Sequence, residues 1–171
     1  MFGEFKGKVL QSSCCSSVSS GNCSTTMSTG KQACPKCNQK AKGVLAKTLD
    51  HLLKDESKKS LECLEGFYFC QEPSCELIYF RDALSLTQED LKVVVGLKEG
   101  ATPATLCYCF KWTKEKIEYD LKHKGSTDAL EDIKRKMENP GCSCETLNPS
   151  GGCCLGDVTK VIKKLKKDLN I

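Results

Sequence analysis

The chain has 171 residues, a formal net charge of +4 and an aromatic share of only 6%. That length suits one domain or two small ones, and fourteen cysteines indicate compact modules held partly by metal. No segment approaches the roughly 18 consecutive apolar residues of a membrane span, so membrane insertion is not expected. Residues 1–10 lack the apolar core of a secretory signal peptide, which predicts a soluble cytoplasmic protein with reduced thiols.

The first 31 residues are expected to form a disordered tail. Ser, Thr and Gly dominate residues 11–31, and no hydrophobic period is present. This tail carries Cys14, Cys15 and Cys23. A flexible thiol cluster can hold a soft ion such as Cu(I), so copper binding is one hypothesis here and incidental thiols are the other.

Two short cysteine pairs predict a zinc site in residues 32–100. The first pair is Cys34 and Cys37 in a CPKC turn, and the second is Cys70 and Cys75 around a proline-containing turn. Four thiolates from two such turns satisfy a tetrahedral zinc ion, with unrelated structural thiols as the alternative. The lone Cys63 is expected to fill an apolar site rather than to bind metal.

The residues around these pairs predict a small sheet pinned by the ion. Residues 66–69 and 77–80 flank the second pair and form the two strands of a predicted hairpin. Residues 92–97 are rich in valine and predict a third strand. The short apolar pattern of residues 47–54 fits a helix or a strand with a turn, and His51 within it is expected to be a surface side chain.

The second half, residues 101–171, is expected to be a helical module. Thr113 can cap a helix that runs through Leu121, and Gly125 stops that helix. A second helix follows, and a third begins at about Asp157. The fold class is therefore α+β, a small zinc-pinned β-sheet followed by a helical module.

Six thiols in this half predict a second metal centre. Cys107 and Cys109 form a CxC pair, and four further thiols surround a glycine and proline turn: Cys142, Cys144, Cys153 and Cys154. A [2Fe-2S] cluster needs four thiolates, two for each iron. The CxC pair can supply two, spacing does not decide which of the others complete the set, and a second zinc site is the alternative.

From Cys34 to about Asp157 the sequence resembles the N-terminal region of the CopZ family of archaeal copper chaperones, which pairs a zinc site with a [2Fe-2S] cluster. The motifs that carry the resemblance are CPKC at 34–37, FYFC at 67–70 with SC at 74–75 and YF at 79–80, CYC at 107–109, and NPSG at 148–151 before CC at 153–154. The helical half also resembles the [2Fe-2S] module of bacterioferritin-associated ferredoxin. The resemblance implies zinc at Cys34, Cys37, Cys70 and Cys75, and a cluster at Cys107, Cys109, Cys144 and Cys154.

Two functions follow from this resemblance. One is one-electron transfer in copper handling, with a copper-handling or redox protein as partner. The other is a metal-stabilised scaffold without redox turnover. The MxCxxC copper loop of the CopZ C-terminal domain does not occur in these 171 residues, so copper carriage by that route is not implied.

Neither enzymatic activity nor nucleic-acid binding is expected. The sequence shows no paired carboxylates, no phosphate-binding glycine loop and no nucleophile with a partner base. Lysines cluster near the end of the chain, from Lys160 to Lys167, but no aromatic residue lies among them to stack on a base.

Overall fold

The computed structural model describes residues 30–171. Within that range an antiparallel sheet is followed by a helical module, which confirms the α+β class. The predicted disordered tail lies outside the described residues except for its last two positions, Gly30 and Lys31. Its three cysteines lie wholly outside them. Lys31, which the sequence placed in the tail, already belongs to the first strand.

The first module is a meander of five short antiparallel strands. They are β1 (Lys31–Ala33), β2 (Lys40–Gly43), β3 (Tyr68–Phe69), β4 (Tyr79–Arg81) and β5 (Leu84–Leu86), paired in sequence order. The predicted hairpin on either side of the second cysteine pair is confirmed as β3 and β4, with Phe69 opposite Tyr79. The β1–β2 hairpin was missed because lysine, glutamine and glycine are poor strand formers, so these strands carry no apolar alternation.

Two helices and a single 3-10 turn cover this sheet. They are α1 (Ala46–Leu52), α2 (Asp55–Lys59) and the 3-10 turn Gln88–Asp90. Leu49, in the middle of α1, and Leu53, just after its end, pack with Phe67 and Phe69 in a buried core. The short apolar pattern of residues 47–54 is therefore helical, and His51 is exposed as expected.

The prediction of a third strand at residues 92–97 is wrong. Its backbone groups are satisfied by side chains instead of a neighbouring strand. Gln88 bonds the carbonyl of Val93 and the amide of Val95, at 2.7 and 2.8 Å. The hydroxyl of Tyr108 accepts from the Gly96 amide and donates to the Val94 carbonyl, both at 2.9 Å. A valine-rich run can thus have its backbone groups bonded without joining a sheet.

The second module contains a two-stranded sheet and four helices. Its elements are β6 (Thr105–Cys107), β7 (Trp112–Thr113), α3 (Lys114–Lys124), α4 (Ala129–Glu138), α5 (Cys144–Leu147) and α6 (Leu155–Leu169). Thr113 caps α3 as predicted, accepting from the Lys116 amide. Gly125 ends that helix with φ of +70°, a conformation that glycine adopts without strain. The final helix begins two residues before the predicted start.

The core of this module forms where the apolar faces of α3, α4 and α6 meet. Ile117, Ile133 and Val158, one from each helix, are all fully buried. Their helical spacing is why the sequence located these helices correctly. Among residues 30–171, none of the helices combines the length and apolarity needed to cross a bilayer.

Asp132 of α4 forms a hydrogen bond with Trp112, the sole tryptophan, and this bond predicts how the stability of the chain depends on pH. Asp132 accepts from Trp112 Nε1 at 2.9 Å and pairs with Lys136 and Arg135. The bonds from Lys136 and then Trp112 hold the pKa of Asp132 well below its usual range. A carboxyl with a depressed folded pKa adds stability above its unfolded pKa of about 3.9, and that stability is lost as pH falls through the folded pKa.

We therefore expect Asp132→Asn to be less stable than the parent at pH 7. The difference should persist to about pH 4 and shrink below it, because the unfolded carboxyl takes up a proton there while the folded one is still ionised. Urea unfolding, monitored by Trp112 fluorescence, measures the free energy of unfolding of the parent and of Asp132→Asn at each pH. A difference that stays the same size at pH 3 would contradict the assignment.

Candidate metal centres

The four cysteines predicted to hold zinc converge on one point in the first module. Cys34 and Cys37 lie in the turn between β1 and β2, Cys70 follows β3 directly, and Cys75 lies in the loop before β4. All four sulfurs lie within 4.8 Å of one another. The Cys34–Cys75 and Cys37–Cys70 sulfur distances are 3.9 and 3.5 Å. A tetrahedral Zn²⁺ with Zn–S bonds of about 2.3 Å separates its sulfurs by about 3.8 Å, so the arrangement fits that ion.

Backbone amides around this group favour thiolates. Burial opposes ionisation of Cys34, but the backbone of Cys37 and Lys36 and the thiols of Cys37 and Cys70 together outweigh it and lower its pKa to about 7. Burial raises the pKa of Cys70 to about 12 and also raises that of Cys75. Without a cation Cys70 and Cys75 therefore stay protonated, and a bound metal must displace their protons.

The remaining first-module cysteine has a polar role. Cys63 is half-buried, and its sulfur lies 2.8 Å from the Arg81 guanidinium. The expectation of a purely apolar site is wrong, because Arg81 also bonds the Cys63 and Glu65 carbonyls and so brings its charge to the thiol. Cys63 does not belong to the converging group of four.

The cysteines predicted to hold the cluster meet in two close pairs in the second module. Cys107 ends β6, Cys109 lies in the turn that follows, Cys144 begins α5, and Cys154 directly precedes α6. The sulfurs of Cys109 and Cys144 are 3.8 Å apart. Cys107 and Cys154 lie close enough that each shifts the pKa of the other's thiol.

The two cysteines of the CxC motif belong to different pairs. Spacing suggested that Cys107 and Cys109 together serve one iron, whereas each is paired with a thiol from a later loop. Contact with Cys154 lowers the pKa of Cys107 to about 7, and the same contact raises that of Cys154, because two adjacent thiols do not both ionise readily. Burial raises the pKa of Cys144 to about 12.

Amide groups also point at these sulfurs. The Ser143 amide donates to Cys109 Sγ at 3.4 Å. The backbone of Cys109 and Phe110 lowers the pKa of Cys107, and the backbone of Cys154 acts in the same direction on Cys144. Such donors stabilise negative sulfur and tune the potential of a cluster bound by thiolates. Four cysteines in two pairs with amide donors fit a [2Fe-2S] group.

One aromatic residue fixes the CxC loop, and sequence reasoning gave it no role. Tyr108 lies between the two cysteines, and its hydroxyl makes the two bonds to Val94 and Gly96 described above. These bonds hold the CxC loop to the end of the first module. The position between two ligands was the available signal, but its partners are visible only in the fold.

The first module also supports the loop that carries Cys153 and Cys154. The Tyr79 hydroxyl donates to the Pro149 carbonyl at 2.7 Å, and both groups are buried. Thr48, which is fully buried on α1, donates to the Glu145 carbonyl at 2.6 Å. The Asn148 side chain closes the turn by donating to the Gly152 carbonyl at 2.7 Å. The two modules are therefore joined at the candidate cluster site.

Tyr79→Phe should destabilise the chain by about 1–3 kcal/mol, since it leaves the buried Pro149 carbonyl without its donor. For a chain of this size, that corresponds to a fall in Tm of roughly 2–4 °C per kcal/mol. Tyr119→Phe is the matched control, because that side chain is 60% exposed. Thermal unfolding of both variants tests the contact, and equal Tm values for the two would contradict it.

Comparison with known proteins agrees with this arrangement. Residues 31–92 match the family model of the CopZ zinc binding domain. The copper chaperone CopZ of Archaeoglobus fulgidus is 31% identical to the chain over 121 residues, covering 71% of this chain. The chain spans 57% of that relative's length.

A solved structure extends the similarity to both modules. The X-ray structure of the N-terminal domain of Archaeoglobus fulgidus CopZ superposes with a TM-score of 0.63 at 28% identity. The match covers 76% of this chain and 97% of that domain. Residues 31–92 are therefore similar to the CopZ zinc binding domain, and the chain has the fold of a CopZ N-terminal domain.

Proposed function

We propose that the chain binds Zn²⁺ at Cys34, Cys37, Cys70 and Cys75 and a [2Fe-2S] cluster at Cys107, Cys109, Cys144 and Cys154, and that it transfers single electrons in copper handling. The domain division that goes with this is a tail to residue 31, a zinc module to residue 100 and a cluster module to residue 171. The observations that carry the proposal are the 3.8 Å approach of the Cys109 and Cys144 sulfurs and the opposite pKa shifts that Cys107 and Cys154 impose on each other.

The second group differs from the first in a way that favours a two-iron cluster. Four sulfurs that are all within 4.8 Å of one another suit a single ion, and among residues 30–171 only the first group meets that condition. The second group is two close pairs, which matches the demand of a [2Fe-2S] core for two thiolates at each iron. When bound, such a cluster supplies a one-electron redox couple.

The residues of the second module would hold this group and limit its exposure. Cys107, Cys144 and Cys154 are buried, whereas Cys109 is half-exposed. The start of α6 at Leu155 brings the positive end of a 15-residue helix to Cys154, which favours negative charge there. With three buried ligands and one partly accessible ligand, the cluster would be shielded from solvent except near Cys109. Such an accessible side suits electron exchange with a partner protein.

A copper-handling partner is part of this proposal. The matched relative is named a copper chaperone, and soft thiolate chemistry suits Cu(I). The alternative is a scaffold without redox turnover, in which both metals only hold the fold. One observation favours that alternative: Tyr79 and Thr48 of the first module form hydrogen bonds with the loop at the candidate cluster site. Loss of metal from either module would therefore disturb the other module as well.

Reversible reduction distinguishes the two functions. Anaerobic protein is reduced with dithionite until its visible bands bleach, freed of excess reductant, and mixed with one equivalent of Cu(II). Electron transfer predicts that the bands return as Cu(II) is reduced to Cu(I), one electron for each copper. Bands that do not bleach, or that stay bleached after Cu(II) is added, would leave the scaffold function.

A further inference from the structure

We propose that Cys142 and Cys153 form a surface pair that binds Cu(I) beside the candidate cluster. Neither cysteine belongs to the zinc group or to the two close thiol pairs of the second module. The choice of copper rests on the proposed function, whereas the thiol pair rests on its own geometry.

These two cysteines differ from the others in exposure. Among the eleven cysteines of residues 30–171, Cys142 and Cys153 are the ones classed as exposed, and the other nine are buried or half-buried. Exposed thiols can receive an ion from another protein without local unfolding. Buried thiols, in contrast, are available only to a metal that is inserted during folding or assembly.

Both cysteines line the same surface depression, which has a volume of about 630 Å³. One wall runs from Cys142 to Thr146 at the start of α5, and the other is formed by residues 151–153. Gly151 and Gly152 contribute no side chains, so the second wall leaves the depression open. Two thiols that line one depression can approach the same ion.

Hydrogen bonds hold both walls in place. The Ser143 amide donates to Cys109 Sγ, which fixes the chain beside Cys142. The Asn148 side chain donates to the Gly152 carbonyl, which fixes the chain beside Cys153. Because these bonds belong to the fold, the approach of the two walls does not depend on a bound ion.

The number of available ligands selects the ion. Thiolates prefer soft metals, and Cu(I) accepts fewer ligands than the four that a structural zinc ion takes. In residues 30–171, the zinc group is the single set of three or more Cys, His, Asp or Glu ligand atoms that all lie within 4.8 Å of one another. Glu145, also in the depression, is neutralised by an ion pair with Lys47. A two-thiol site therefore favours Cu(I) over zinc.

The position suits one-electron chemistry. Cys142 lies two residues before Cys144. Cys153 is the immediate neighbour of Cys154. A copper ion bound here is thus adjacent to ligands from both close thiol pairs, a short distance for electron exchange.

Residue-specific alkylation tests the site in the full chain. Anaerobic, metal-loaded protein is treated briefly with iodoacetamide, with and without one equivalent of Cu(I) added as its acetonitrile complex, and each cysteine is quantified by peptide mass spectrometry. We expect Cu(I) to slow the alkylation of Cys142 and Cys153 together by about tenfold, the protection given when free ligand is about ten times Kd. Cys63, half-buried in the first module, should not change and is the internal control.

Three variants sharpen the result. Cys142→Ser should remove the protection of Cys153, and Cys153→Ser should remove that of Cys142, because one thiol alone does not retain the ion. A chain with Cys14, Cys15 and Cys23 all changed to serine should keep both protections, which excludes capture by the tail. The inference is overturned if Cu(I) leaves either cysteine unprotected in the parent, or if one cysteine stays protected without the other.

Iron and zinc contents of the same samples separate this inference from the proposed function. Loss of iron in the Cys142→Ser, Cys153→Ser double variant would overturn the inference, because it would make these thiols cluster ligands. Protection of both cysteines in a protein that contains no iron would support the copper site and would contradict the proposed cluster.

Discussion

Cys70→Ser should remove zinc from the first module and unfold it. Cys70 is fully buried, and its sulfur lies 3.5 Å from that of Cys37. Structural zinc bound by cysteines contributes folding free energy directly, and its loss belongs to the mechanisms that cost more than about 4 kcal/mol. We expect zinc to fall from about one ion per chain to nearly none, and Tm to fall by about 10 °C or more.

The matched control is Cys63→Ser in the same module. Its thiol accepts from Arg81, a role that a serine hydroxyl can also fill, and it is not part of the four-sulfur group. Zinc content and Tm should therefore match the parent within error. Zinc analysis and thermal unfolding of the two variants decide the assignment. A Cys70→Ser protein that keeps its full zinc content would refute it.

Cys154→Ser should abolish the cluster while its neighbour, Cys153→Ser, retains it. Cys154 is 1% exposed and contacts the Cys107 thiol, whereas Cys153 is exposed and lines the surface depression. Iron should fall from about two per chain to nearly none in Cys154→Ser, since a [2Fe-2S] core needs four thiolates. The visible bands should disappear with it.

Cys153→Ser and Cys154→Ser are closely matched variants, because each changes one sulfur to oxygen at adjacent positions of the same turn. Iron analysis and visible spectra after anaerobic purification give the answer. Loss of iron in Cys153→Ser with retention in Cys154→Ser would show that the resemblance to CopZ placed the fourth ligand one residue too late.

Elements with a strong periodic signal could be predicted from the sequence. The apolar spacing of Ile117 and Leu121, together with the Thr113 cap, gave α3 its correct start. Phe69 and Tyr79 gave the central hairpin because they are aromatic and flanked by turn residues. Both signals are local, so the sequence contains them in full.

Errors arose where tertiary contacts override local preference. The Val93 to Val95 segment has high strand propensity, yet the Gln88 side chain takes its hydrogen bonds. The strands from Lys31 and from Lys40 have weak propensity, yet they pair with each other, and the second also pairs with β3. Strand propensity depends strongly on such context.

The candidate centres show the same division. Short spacing grouped Cys34 with Cys37 and Cys70 with Cys75, and the structure brings both pairs together. The pairing of Cys109 with Cys144 depends on how α5 packs on the CxC loop, which spacing does not encode. The bond between Tyr79 and Pro149 joins residues 70 positions apart, so it too required the fold.

The most direct test of the account is metal analysis with visible absorption on one anaerobically purified sample of the full chain. We predict about two irons and one zinc per chain, with charge-transfer bands that bleach on reduction with dithionite. A colourless protein that holds only zinc after anaerobic cluster reconstitution would contradict the cluster and the electron-transfer function together.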